Sequence, residues 1–284
     1  MADNDFNLPE YLTDLFKKYA QSFSDTEKVI ANIRHEKDNP NEVYYLSDLA
    51  WYPDKEWLDK KTPSEAQDEK LLGEAKEIID NLRNGNGKIN QDLNDFLNKT
   101  DLVIKIRPDW DKPHGGMLLN KEKQQAILLL PPANVIDQYD KILPGIISHE
   151  MGHLVDFYQR PQAPAKEITC SNGEKITADP NKLSYMDGTE TATDALGEML
   201  AQNAGYSCRT FGKYMGEESR AGNNPPNTAP GDLREKNIED VRGIMNKNRL
   251  ISLRGLSSTK VPYKPSSAKI NLQTLRLNRN NNGR

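Results

Sequence analysis

Residues 149–153 read His-Glu-Met-Gly-His, and they lie in a segment whose ends and periodicity call for a helix. Pro144 suits a first helical turn, and Pro161 stops the run. Ile146, Ile147, Leu154 and Val155 recur at helical spacing as a buried stripe, so a helix is expected over Pro144 to Arg160. Two histidines four residues apart share one helix face, which lets His149 and His153 meet a single Zn²⁺. Glu150, one residue after the first histidine, is placed to take a proton from a water beside the ion without binding the ion itself. Ser148 and Asp156 fall on the histidine face, and Gly152 removes a side chain beside a ligand, where another backbone can come close. Of the other two histidines, His35 precedes Glu36 but has no partner at 39 and reads as a surface residue, while His114 reads as a loop residue.

No histidine follows His153, so the downstream candidates for a third ligand are carboxylates. A second helix, expected over Asp187 to Ala204, carries Glu190, Asp194 and Glu198 every four residues along one strip. Ala192, Ala195, Leu196, Met199 and Leu200 form an opposite apolar strip. Gly197, Ala201 and Gly205 share the carboxylate side, and their small size lets this helix approach the first closely. On the residues alone, Glu190 and Glu198 both stay open as the third ligand.

The flanking sequence divides into three parts. Residues 1–99 read as an N-terminal helical region: Leu71, Leu72, Ala75, Ile78, Ile79 and Leu82 repeat at three and four residues after a start at Thr62-Pro63-Ser64, and Asn84-Gly-Asn-Gly-Lys breaks the helix before a shorter segment around Leu93 and Phe96. Residues 100–215 read as the catalytic core. Its β signals are Leu102 to Arg107 and a hairpin from Met117 to Leu130, with a polar turn at Asn120 to Gln124 and a stop at Pro131 and Pro132. A long loop with a turn at Ser171-Asn-Gly then joins the two helices. Residues 216–284 read as a basic, largely irregular tail with one short helical piece near Ile238 to Met245. The net charge of −4 conceals this division: ten Lys and Arg and no acid follow Asp240, so residues 1–240 carry −14.

The motif and its downstream carboxylates resemble the gluzincins, zinc peptidases that combine HExxH with a glutamate on a later helix; the likeness covers about residues 100 to 210. In thermolysin-like families the ligand glutamate is followed by a small residue at +3, Asp or Asn at +4 and Ala or Gly at +7, and Glu190 has Thr193, Asp194 and Gly197 there. By that resemblance Glu190 is the third ligand and Asp194 accepts a hydrogen bond from a ligand imidazole. Lethal-factor-like toxins show Glu-x-x-Ala-Glu instead, which Glu198-Met-Leu-Ala-Gln fits apart from Gln202, so Glu198 is the alternative ligand. The resemblance implies an α+β, zincin-like metalloprotease fold with a small twisted sheet, an active-site helix and one zinc per chain. It also implies an extended substrate beside an edge strand, with Ala126 to Leu130 as a candidate edge. Tyr185, Tyr206, Tyr158 and His114 are candidates for the donor that holds the oxyanion.

The expected activity is hydrolysis of peptide bonds in a protein or peptide substrate, with Glu150 as general base. The alternative is a non-catalytic zinc protein whose basic tail binds a partner. Net acidity argues against nucleic acid, and no run is long and apolar enough for a membrane span. The start MADNDFNLPEYL has neither the basic residues nor the apolar stretch of a Sec signal, which leaves a cytoplasmic protein or one exported by another route, as translocated bacterial effectors are. Two cysteines, Cys170 and Cys208, allow one bridge or two reduced thiols.

Overall fold

The computed structural model of the chain describes residues 8–21, 23–37, 66–120, 123–159, 166–169, 175–178, 190–223 and 229–258. They are mostly helical and include a small mixed sheet, an α+β architecture. In chain order the elements are α1 (Leu8–Ala20), α2 (Glu27–Lys37), α3 (Ala66–Arg83), α4 (Lys88–Leu97), β1 (Asp101–Ile106), β2 (Gly116–Asn120), β3 (Gln125–Leu130) and the short α5 (Ala133–Ile136). They continue with α6 (Leu143–Gln159), β4 (Lys166–Thr169), β5 (Lys175–Ala178), α7 (Glu190–Asn203), α8 (Arg209–Arg220) and α9 (Gly231–Ser258). No helix among the described residues is long and apolar enough to cross a membrane.

The three-stranded sheet has the order β1-β3-β2, with β3 parallel to β1 and antiparallel to β2. This overturns the expectation for the edge strand. Ala126 to Leu130 belong to β3, which is paired on both sides and buried from Ala126 onward. The edge that packs against α6 is β2. The physical reason is visible in the residues: Ala126-Ile-Leu-Leu-Leu is apolar without interruption, which suits a strand covered on both faces. A second, two-stranded antiparallel sheet joins β4 to β5, strands that periodicity did not reveal. The turn expected at Ser171-Asn-Gly between them lies outside the described residues, as do Thr62 to Ser64, Cys170, Tyr185 and the tail beyond Ser258.

The three segments drawn from composition share one hydrophobic core. It runs from Leu12, Phe16 and Ile33 in the N-terminal helices through Leu82, Leu93, Leu128, Ile146 and Leu200 to Ile238 and Met245, and the described residues up to Arg249 form one compact unit. Part of the expected irregular tail is therefore folded: Gly231–Ser258 is a single 28-residue helix, α9. A buried side chain ties the helical break at 84–87 to α7. Asn90 donates to the carbonyls of Leu82 (2.7 Å) and Leu200 (3.1 Å) and accepts from Asn203 Nδ2 (2.9 Å), so it closes carbonyls near the ends of both α3 and α7. A side chain at Gly87 would collide with Asn203, which accounts for the second glycine of Asn84-Gly-Asn-Gly.

Candidate metal centre

The site is built where α6 and α7 touch. A Cβ on Gly152 would lie 2.8 Å from the Thr193 carbonyl oxygen, and one on Gly197 would lie 2.9 Å from that of Ser148 and 3.0 Å from His149 Cα. The two glycines thus let the backbones meet, as their spacing in the sequence anticipated. The close approach carries Glu190, in the first turn of α7, to both histidines. Glu190 Oε2 is 3.2 Å from His149 Nε2, and Oε1 is 3.4 Å from His153 Nε2. These three residues could hold a metal ion, since one ligand atom from each lies within 4.8 Å of the others.

The far nitrogen of each imidazole is occupied. His149 Nδ1 is 2.8 Å from Asp194 Oδ1, and His153 Nδ1 is 3.2 Å from the Thr193 hydroxyl. With a hydrogen on each Nδ1 donated to these oxygens, it is Nε2, the nitrogen facing Glu190, that gives up its proton when a metal binds. Asp194 thus lies against the imidazole of His149. Thr193 does more than its small size implied.

Glu198 is not brought to the histidines. Its buried carboxylate accepts hydrogen bonds from the Cys208 backbone N–H (2.6 Å), Gln202 Nε2 (2.8 Å) and the Ser207 hydroxyl (3.3 Å), so it ties together the turn from α7 into α8. Burial pushes its pKa up, and the Cys208 N–H opposes the shift. Cys208 carries a free, buried thiol.

Glu150 is 4 % exposed, and it flanks the triad without joining it. Burial raises its pKa, against the pull of His149 and His153. Gly115, just before β2, sits directly on this carboxyl group: a Cβ there would come within 2.6 Å of Glu150 Oε1. For the buried His149, desolvation works against protonation, but Glu190 and Asp194 outweigh it and push the pKa up to about 10. A metal entering the site would therefore displace a proton. Glu190 is held well below the usual carboxylate range: burial opposes this, but Arg234 and His149 prevail.

The described candidates for an oxyanion donor have other engagements. Tyr158 shares a hydrogen bond with the Thr100 hydroxyl at 2.7 Å and stacks on Phe96. The Tyr206 hydroxyl accepts from Asn81 Nδ2 at 2.7 Å. His114 stacks on Trp110, which also covers Gly116, while Gly115 between them faces Glu150. Tyr185 lies outside the described residues, and so does the side chain of His35.

One site residue escaped the sequence reading. Arg234, in the first turn of α9 and 4 % exposed, grips Asp194 with Nε (2.8 Å) and Nη2 (3.0 Å), and its Nη2 also lies 3.0 Å from Glu190 Oε2. Its guanidinium stands over Phe211 of α8, whose ring also packs against His149. The signal was present: Ile238, Val241, Ile244 and Met245 mark the buried face of α9, and the same periodicity carried backward includes Arg234 and Asn237. Comparison with protein-family models, curated proteins and solved structures found no match.

Proposed function

We propose that this protein is a zinc-dependent endopeptidase with a zincin-like fold. The observation that carries the reading is the joint placement of His149, His153 and Glu190 around one point, each imidazole oriented through its Nδ1, with Glu150 buried beside them. Two imidazoles and one carboxylate are a donor set suited to catalytic zinc, which keeps a further coordination position open. A bound zinc supplies Lewis-acid polarisation of a carbonyl and acidifies water. Glu150 takes the proton of the attacking water and delivers it to the leaving amine, and its burial, which raises its pKa, makes it a stronger proton acceptor than a solvated carboxylate. Asp194 and Thr193 keep the histidines in the required tautomer.

The edge of β2 beside α6, which pairs with no further strand among the described residues, is where an extended peptide would add, held by main-chain hydrogen bonds. Gly115, just before this strand, has no side chain, so its backbone lies directly against Glu150 and brings the start of β2 up to that carboxyl group. The test is cleavage itself. Zinc-loaded protein incubated with a complex protein mixture should generate new N-termini detectable by mass spectrometry, a chelator should abolish them, and added zinc should restore them. No zinc-dependent cleavage across several unrelated mixtures would count against the reading. One observation favours the alternative, a non-catalytic metal-binding protein: Tyr158 and Tyr206, two of the candidate oxyanion donors, are engaged elsewhere. Zinc retention without cleavage in the same experiment would select it.

A further inference from the structure

Arg234 is a buried cation in contact with two of the residues that define the centre, and the peptidase chemistry above gives it no step. Asp194 receives two of its bonds, and a guanidinium that meets one carboxylate through two nitrogens is fixed in orientation as well as position. The third contact goes to Glu190 Oε2, which leaves Oε1 facing His153 Nε2. Nη2 is also 3.5 Å from His149 Nδ1 and 3.4 Å from Nε2, so the same nitrogen borders the imidazole that lies between the two carboxylates. Phe211 lies under the guanidinium, its ring centroid 5.5 Å from Cζ. Three residues along α9, Asn237 donates to the Thr191 carbonyl next to Glu190 and accepts from Asn32 of α2 at 3.4 Å. The first turn of α7 is thus held from outside the two-helix motif by two residues on one face of α9.

We propose that Arg234 is a positioning residue of the metal centre: it spans Glu190 and Asp194, sets the carboxylate of one and the imidazole-orienting bond of the other, and so makes metal affinity depend on α9. This rests on the reading that His149, His153 and Glu190 hold a metal. The required property is the planar fork. Lysine keeps the charge but offers a single ammonium that cannot span both carboxylates in the same geometry.

The experiment uses the full chain with Arg234→Lys and Arg234→Met. Zinc affinity is measured by competition with a chromophoric chelator, and the visible spectrum of the cobalt-substituted protein reports the ligand field. Circular dichroism confirms the fold. Loss of an outer partner of a metal ligand typically weakens binding by about 10–100-fold, and that loss is expected in both variants, with an altered cobalt spectrum. If the Met variant does not fold, the Lys variant decides alone. A folded Lys variant with wild-type or tighter zinc affinity and an unchanged cobalt spectrum would overturn the proposal, even if its melting temperature fell, because Arg234 would then only support the fold. Wild-type protein that binds neither zinc nor cobalt would instead remove the metal reading itself, and the proposal with it.

Discussion

Glu150→Gln is expected to lower kcat/KM for any responsive substrate by about 10²–10⁴-fold, the usual contribution of a positioned general base, while the protein keeps its fold and its zinc. Glutamine preserves the volume of a side chain that is 4 % exposed and wedged against Gly115, so little repacking is needed. The amide cannot accept the proton of the attacking water, and Glu150 is not one of the three residues that converge as a possible metal site. Activity and zinc content therefore have to separate. Steady-state kinetics beside elemental analysis of the same preparation makes the comparison. A variant that cleaves like wild type would exclude Glu150 as the base, and one that loses zinc together with activity would place it among the ligands.

Glu190→Ala and Glu198→Ala are expected to fail in opposite ways. Removing Glu190 takes away the carboxylate that faces both Nε2 atoms, so the variant should no longer retain zinc through gel filtration. Removing Glu198 leaves the Cys208 N–H, Gln202 and Ser207 without their acceptor in a buried turn. The cost is about 1–3 kcal/mol for a buried donor left unmet, read as a lower urea midpoint, with zinc content unchanged. Zinc loss from the Glu198 variant and retention by the Glu190 variant would reverse the assignment that the geometry makes.

The local parts of this site were legible in the sequence because they are periodic. The helix expected over Pro144 to Arg160 is α6, Leu143–Gln159, and the one expected over Asp187 to Ala204 contains α7, Glu190–Asn203. The small residues that bring these helices together, Gly152 and Gly197, also announced themselves, since a missing Cβ on a packed face has few other uses. Gly205 did not behave as expected: it follows α7 with φ +84°, a helix-terminating conformation rather than a contact on the carboxylate strip.

Whatever depended on distant partners stayed hidden. Both Glu190 and Glu198 lie on α7, and only the approach of α6 at one end and of the Ser207–Cys208 turn at the other gives them different work. The hydroxyls of Tyr158 and Tyr206 meet Thr100 and Asn81, partners 58 and 125 residues away. Strand order was hidden for the same reason, because a hairpin read alone has two equivalent outer sides until β1 covers one of them. The helix over residues 231–258 was hidden for another reason: polar, Asn- and Pro-rich text at 221–230 looked like the start of a tail, whereas α9 begins at Gly231 and returns a buried arginine to the site.

Elemental analysis of protein purified without added metal or chelator tests the central claim most directly. One zinc per chain, lost in a folded His149→Ala variant, is the predicted result. A wild-type protein that carries no zinc and takes up none when Zn²⁺ is supplied would contradict it.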